Sequence, residues 1–493
     1  MVTQLGSTTL RTLGPRVQVP SYDRDAVRVG VVHFGVGGFH RSHEAVYLDA
    51  ALAGGDLGWG VCGVGVLAQD ASARDAAGAQ DGLYTLVTTA PDGTREARVV
   101  GSLVRYIFAP DDQSAVTAVL TAPETRIVSL TITEGGYSIS DATGLFDPRD
   151  ELTLSDLDGV GEPRSVLGHL TEALRQRRTR NIPPFTVLSC DNVQGNGRVA
   201  RTALTSFARM SDPDLADWIE NHVAFPCSMV DRITPVTTDE TRREVREEYG
   251  IEDRWPVRSE SYLQWVVEDD FPLGRPDLGA VGVQVVPDVE PYELMKLRML
   301  NASHQAMSYL GILDGRTWVH DVCRDPLFVE FLHRYMDVEA VPTLRPVPGI
   351  DLGAYRNKLI ERFASEAVKD TLERQVVDAS DRLPKFLLPV LRHQLEAGGP
   401  IACCALVLAA WSLYLETGLG EQGRVILDRR RDELLEAVAA ETVSPGALLG
   451  YAPVFGDLGT DGRLHDAYVA ARADLQARGV RAVLTDLVAP PRT

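Results

Sequence analysis

The sequence predicts an α/β fold over its first part and a mainly α-helical fold over the rest. Three observations carry this. Short valine-rich runs alternate with helical stretches up to about residue 285, the pattern of a mostly parallel sheet covered on both faces. Beyond that point almost every periodic stretch is helical. At 493 residues the chain also exceeds what one hydrophobic core usually serves, so it is expected to divide into residues 1–285 and 286–493.

The elements follow in order. "AVRVGVVHF", Ala26 to Phe34, is a buried-strand run ending at the glycine turn "GVGGFH", and "RSHEAVYLDAALAGG" reads as a helix up to its glycine stop. "WGVCGVGVL" is a second buried strand, and "YTLVTTA", "ARVVGSLVRYIF", "TRIVSLTIT" and "FTVLSCDNV" continue the series. "DDQSAVTAVLTA", "PRSVLGHLTEALRQRR" and "GNGRVARTALTSFARM" are the helices between them. The second part opens on "PYELMKLRMLNASHQAMSYLG", with Pro291 at a helix start, Glu293 in its first turn and Gly311 just past its end. "DPLFVEFLHRYMDVEAV", "YRNKLIERFASE", "PKFLLPVLRHQLEAG" and "RVILDRRRDELLEAVAAE" read as further helices. The apolar run Ile401 to Leu415 falls short of the roughly 20 residues that span a bilayer, so it predicts a buried helix.

Composition sets several function classes aside. The formal charge of -20, from 69 acidic against 49 basic residues spread along the chain, repels nucleic acid and anionic membranes. The six cysteines (Cys62, Cys190, Cys227, Cys323, Cys403, Cys404) form neither a disulfide framework nor a CxxC zinc pair. "MVTQLGSTTLRTLG" lacks the charged start and apolar core of a signal peptide, so a reduced, cytoplasmic setting is expected.

"GVGGFH", between a strand and a helix, stands where a Rossmann-type dinucleotide fingerprint belongs. Gly35 would permit the tight turn, and Gly37 would let a pyrophosphate approach the backbone at the helix start. Gly38, Phe39, His40 and Arg41 complete the candidate cofactor segment, although His40 occupies the third glycine position of the usual GxGxxG. After the second strand, Asp70 is the first acidic residue. It is placed to accept from ribose hydroxyls and to repel a 2′-phosphate, which favours NAD over NADP. The step from Gly35 to Asp70 exceeds the usual spacing of about 20 residues, so the first helix or its loop must be extended. The structural alternative for Asp70 is a solvated loop charge.

Only four lysines stand against forty-five arginines, and Lys296 is the first of them. Lysine can shed a proton when desolvated, and arginine in effect cannot, so a titrating amine is expected where lysine has been kept. At about 100° per residue, Glu293, Lys296, Asn301 and His304 fall within one arc of roughly 140°, with Arg298 pointing away. A lysine general base, an asparagine donor to a developing alkoxide and a histidine orienter would together suit metal-free hydride transfer between a carbinol and a nicotinamide. Taken singly, Asn301 and His304 could equally be packed polar residues. Asn192, in "SCDNVQGNG" at the carboxyl end of a strand, could give a second donor to the same oxygen. "TITEGGY" puts Glu134 at another strand end, and "MVDRITP" offers Asp231 as a polar partner, with a salt bridge to Arg232 as the structural alternative. "HRSHE" brings no third ligand at zinc spacing, so no metal is expected.

The combination of "HFGVGGFHRSHEAVYLD", "DNVQGNG", "FPCSMVDRITP", "KLRMLNASHQAMSYLG" and "RQVVDASDRLPKFLLP" resembles the polyol-specific long-chain dehydrogenases over essentially the whole chain. The resemblance implies a monomeric, metal-independent NAD enzyme with its active site between two domains. It implies Lys296 as general base, Asn192 and Asn301 polarising the reacting oxygen, and Glu293 at the proton exit. His304, Val230, Asp231 and Arg374 would line the polyol, together with Arg382, which stands where a lysine is expected. The activity implied is NAD-dependent oxidation of D-mannitol to D-fructose and its reverse. The alternatives are fructuronate reduction, with both arginines on a carboxylate, and D-arabinitol oxidation.

Overall fold

In the computed structural model, which describes residues 2–140, 143–159, 161–420 and 423–489, the valine-rich runs build a five-stranded sheet. It comprises β1 (Val29–Phe34), β2 (Gly60–Gly65), β3 (Leu103–Phe108), β4 (Ile127–Leu130) and β5 (Thr186–Ser189). Their order is β3–β2–β1–β4–β5, with every neighbouring pair parallel. The order reverses direction between β1 and β4, and open sheets of this kind bind ligands beyond the carboxyl ends of the strands at that reversal.

Helices cover both faces. Phe34, Val64 and Val128 pack with Leu170, Leu174 and Leu204 from α3 (Val166–Thr179) and α4 (Asn196–Ser211), which follow α1 (Gly38–Ser42) and α2 (Glu44–Ala53) in the chain. Val31, Val61 and Leu188 face Tyr47, Leu48 and Trp265 on the other side. Burial on both faces is why these strands read as continuous apolar runs rather than alternating ones. The helix expected after β1 is two helices, α1 (Gly38–Ser42) and α2 (Glu44–Ala53), broken at His43 by φ −118° and ψ −92°.

Among the described residues, three sheets beyond the expected one belong to the same part of the chain, the smallest pairing Thr3–Gln4 with Ile251–Glu252. "ARVVGSLVRYIF" is not one strand: Arg95–Val100 pairs antiparallel with Tyr84–Thr89 in a four-stranded sheet, while Leu103–Phe108 joins the main one. The break falls at Gly101, where a Cβ would lie 2.7 Å from Pro20. Ser228–Asp231, Gln264–Glu268 and Gln284–Val286 form a three-stranded sheet that the sequence did not announce.

The chain divides into two compact units, Met1–Ala90 with Thr94–Glu290, and Pro91–Gly93 with Pro291–Thr493. The second is built on α5 (Glu290–Met295), a π-helical turn (Lys296–Asn301) and α6 (Ala302–Leu313). This composite helix is buried nearly all round, as expected of a core helix with no polar face. Gly311 lies inside α6 rather than beyond it. A Cβ there would meet Leu372 and Val322 at 2.8 Å, so this glycine serves close packing, and the helix stops only before Gly315 (φ +77°). Further on are α7 (Leu372–Gln375), α8 (Ala379–Phe386), α9 (Ala402–Glu416) and α10 (Gly462–Val488), with α9 packed against both α6 and α10. In "RVILDRRRDELLEAVAAE" only Arg431–Ala439 is α-helical, with a 3-10 turn after it. All six cysteines are buried and free, and among the described residues no helix is long and apolar enough to cross a membrane.

Candidate active site

The glycine turn is held by β4. Gly35 has φ +91°, and a Cβ on it would stand 2.0 Å from the Thr131 carbonyl oxygen, so only glycine fits. Thr131 Oγ1 donates to the Gly35 carbonyl at 2.7 Å, and His33 Nε2 lies 3.0 Å from the same hydroxyl. The Gly37 N–H donates to Gly35 O at 2.6 Å, and a Cβ on Gly37 would meet nothing nearer than 3.8 Å. The turn is therefore tight where it touches β4 and open at Gly37, and Gly38 follows as the first residue of α1.

The side chains after the turn point into the protein. Phe39 stacks on His43 with ring centroids 4.9 Å apart. His40 is buried with neither ring nitrogen hydrogen-bonded, its ring stacked on His33 at 3.6 Å and 14°. Burial first, then the neighbouring His33, holds its pKa well below the usual imidazole value, so the ring is neutral. Glu44 Oε2 lies 3.2 Å from His33 Nδ1 and 3.9 Å from His40 Nε2. These three residues bring ligand-type atoms within 4.8 Å of one another. A cation bonds imidazole in the plane of the ring, however, and two nearly parallel planes share no such point between them. The cluster is packing beneath the turn. Arg41 is likewise committed to the protein, its guanidinium enclosed between Tyr84 and Trp255 and donating to the Trp255 carbonyl. Asp70 Oδ2 accepts from the Leu67 N–H at 3.0 Å, and the missing side chain of Gly65 makes room for it, since a Cβ there would lie 2.7 Å from Asp70 Cβ.

At the end of β5, Asp191 is the anchor that the sequence reading passed over. Its carboxylate accepts from the N–H groups of Ile132 (3.0 Å) and Thr133 (2.8 Å) and from the Tyr137 hydroxyl (2.7 Å). Thr133 has φ +62°, a costly conformation outside glycine that those bonds hold in place. The exposed Glu134 rides on the same turn. Buried Asn196 donates to Asp191 O (3.0 Å) and Ser228 O (2.8 Å) and accepts from the Ser228 N–H (2.9 Å). One amide thus ties the exposed turn of Asn192 to the strand carrying buried Val230 and Asp231. The sequence signal was available in "DNVQGN": a buried amide just inside a helix start has few other uses.

The second unit carries Glu293, Lys296, Asn301 and His304 on one continuous helix. Glu293 and Lys296 are buried, and Lys296 opens the π turn that ends at Asn301. The Ala302 N–H bonds back to Leu297 O, five residues earlier. Such a turn takes more residues than the 3.6 of an α-helix, so residues five apart come round toward one face. That changes the expected geometry: a uniform 100° wheel separates Lys296 and Asn301 widely, and the π turn draws them together. Asn301 Oδ1 and His304 Nε2 are buried without a hydrogen-bond partner in the protein. His304 packs on Phe363 at 4.5 Å, and burial lowers its pKa to about 4, so it is a neutral donor–acceptor at physiological pH. Arg298 points away, as expected, and donates to Thr343 O.

Arg374 and Arg382 sit close by. Arg374 donates to Asp370 through Nε (2.7 Å) and Nη2 (2.8 Å), and Arg382 Nη1 donates to the Gln375 carbonyl at 3.0 Å. Gln305 of α6 donates to that same carbonyl at 2.9 Å, which fixes α7 against the helix carrying His304. Asp370 was also missed, although its i,i+4 spacing to Arg374 is a pairing signal.

Two family models match the chain, the mannitol dehydrogenase Rossmann domain over residues 29–280 and the mannitol dehydrogenase C-terminal domain over residues 288–475. The mannitol 2-dehydrogenase of Phaeosphaeria nodorum is 44% identical over 487 residues, covering 98% of this chain and 85% of that one. That of Pyricularia oryzae is 41% identical, covering 96% and 95%. Among solved structures, Pseudomonas fluorescens mannitol 2-dehydrogenase in a ternary complex with NAD and D-mannitol is 42% identical with a TM-score of 0.87, covering 99% of this chain and 100% of that one. A substrate-free D-sorbitol dehydrogenase is 36% identical with a TM-score of 0.90, covering 98% and 100%.

Proposed function

The chain belongs to the mannitol dehydrogenase family, and from that premise we propose that it oxidises D-mannitol to D-fructose with NAD, and runs the reverse, without a metal. Its class is that of an NAD-dependent oxidoreductase acting on polyols. The residues present fit the dinucleotide. The turn at Gly35 admits no side chain, Gly37 is open to an approaching phosphate, and both stand at the strand reversal where such cofactors lie. Asp70 keeps one carboxylate oxygen for a ribose hydroxyl and sets a negative charge against a 2′-phosphate.

Bound NAD supplies the two-electron acceptor. The protein's part is the proton. Lys296 Nζ takes it from the reacting hydroxyl as the carbinol carbon becomes a carbonyl. Asn301 donates through its side-chain amide to the oxygen on which charge develops, with Asn192 as a second donor. Neutral His304 donates to a neighbouring hydroxyl, Glu293 passes the proton from the lysine toward solvent, and Val230, Asp231, Arg374 and Arg382 line the polyol. The observation that carries this reading is a buried lysine set on a π turn with an asparagine five residues on and a histidine three further. π turns inside α-helices concentrate at functional sites. We further read the enzyme as a cytoplasmic monomer with a small polyol or ketose as its partner.

The test is NADH formation with EDTA present, comparing D-mannitol, D-sorbitol, D-arabinitol and D-mannonate, each with NAD and with NADP. Mannitol turnover that survives chelation and prefers NAD is the expected result. Loss on chelation removes the metal-free mechanism, and turnover confined to sorbitol or arabinitol moves the substrate while leaving the lysine chemistry in place.

A further inference from the structure

The two guanidiniums of the second unit are not equivalent. Arg374 is gripped along one edge by both oxygens of Asp370, and Asp370 takes a third bond from Gln375 Nε2 at 2.6 Å. The carboxylate is 6% exposed and the arginine 63% exposed, so the acid is the fixed partner and the base is pinned to it. Gln375 is itself buried, with its carbonyl bonded from both α6 and Arg382. Arg382 has no carboxylate partner among the described residues and rests on backbone carbonyls. A bidentate pair built this way keeps its geometry better than an ordinary surface ion pair.

We propose that Asp370 is a specificity-determining residue, neutralising Arg374 in place so that the site selects uncharged polyols over aldonates, the sugar acids of the same carbon skeleton. The inference rests on the reading of Arg374 and Arg382 as substrate-lining residues. A hydroxyl needs only a donor, and Arg374 keeps Nη1 and the far hydrogen of Nη2 for that purpose. A carboxylate needs net positive charge. Arriving at the open edge of Arg374, it meets a second negative charge behind the same guanidinium, so its attraction is largely cancelled. This is discrimination by an unfavourable element set against one ligand, costing the other nothing. It also separates the two activities left open by the sequence, because fructuronate reduction was to use both arginines on the carboxylate and only Arg382 remains unpaired.

The experiment measures kcat/KM for D-mannitol and for D-mannonate with NAD in the unaltered enzyme, in Asp370→Asn and in Asp370→Asn with Arg374→Gln. Asp370→Asn is expected to raise the mannonate-to-mannitol ratio about tenfold or more. The double variant is expected to return the ratio close to its starting value, because the gain belongs to the freed Arg374. If Asp370→Asn lowers both substrates in proportion, Asp370 is merely structural and the proposal is overturned. Should that variant fail to fold, the unaltered enzyme still decides through mannonate as an inhibitor competing with mannitol. An inhibition constant about tenfold above the mannitol KM supports the clamp, and one at or below it overturns the clamp. An unaltered enzyme that oxidises mannonate and refuses mannitol removes the polyol reading as well. Normal mannitol oxidation with an unmoved ratio removes the clamp alone.

Discussion

Lys296 is where a single side chain is asked to do the most. It is buried in a chain that writes nearly all its positive charges as arginine, so a fixed charge is the role it is least suited to. Lys296→Arg keeps charge and approximate length while removing the ability to deprotonate. We expect Lys296→Arg and Lys296→Ala to cut mannitol turnover by about 10²–10⁴-fold with NADH binding, followed by fluorescence titration, little changed. Near-native turnover in Lys296→Arg would show that only the charge matters and remove the general-base role. Gly35 is constrained from the other side. Its φ of +91° and the 2.0 Å approach of Thr131 O leave no room for a Cβ, so Gly35→Ala must displace either the turn or the end of β4. The expected outcome is weaker NADH binding, by about tenfold or more, at a step that Lys296→Arg leaves alone. Measuring both variants by the same titration therefore separates the cofactor turn from the proton-accepting helix.

At the scale of elements, the site depends on connections that hold turns and helices in register. Asp191 joins the end of β5 to the Ile132–Thr133 turn through two backbone bonds and a tyrosine hydroxyl. Hydrogen bonds to a charged group contribute about 1.5–3 kcal/mol each, less whatever the freed groups recover from water. Asp191→Ala should accordingly lower stability by about 2–4 kcal/mol, read as a fall in the denaturant midpoint at an unchanged m value. An unmoved midpoint would mean that the strained Thr133 needs no anchor. These connections also mark what could be read from the sequence. The five parallel strands were legible because both faces are buried, which leaves continuous valine-rich runs. Ser228–Asp231 and Gln264–Glu268 were not, since short strands with polar ends carry too few residues to show a period. The start of the lysine helix was placed correctly and its end too early, at Gly311, while its π turn was invisible: no propensity announces one extra residue in a turn, and a 100° wheel drawn through it misplaces Asn301 relative to Lys296. Asp370 was passed over although its spacing to Arg374 is a pairing signal, and only the bidentate geometry shows which oxygen holds which nitrogen.

Across the whole molecule the same burial that builds the site sets a pH dependence. His169 and His304 have pKa values lowered by burial to about 4, and His40 is held well below its usual value by burial and by His33. An unfolded chain restores each toward about 6.5, so it binds more protons than the folded chain as pH falls below neutrality. The stability these neutral rings confer is fully present above about pH 6.5 and is lost as pH falls toward about 4, at up to about 1.4 kcal/mol per pH unit for each ring. Asp191, Asp253 and Glu339 pull the other way, because burial raises their pKa values and they hold protons better when folded. A wild-type pH profile alone therefore mixes two signs, and a difference between two chains does not. His169 suits the comparison: both its ring nitrogens are buried without partners, and its ring lies 6.3 Å from Phe34 in the apolar layer over the sheet. Replacing it with leucine removes an unsatisfied polar ring and one titrating group together. His169→Leu should raise the thermal midpoint, and the gap from wild type should hold nearly constant down to about pH 6.5 and widen as pH is lowered further to 5. A gap that stays constant with pH would mean that His169 is protonated to the same extent folded and unfolded, and a gap that narrows would mean that the folded ring carries the proton.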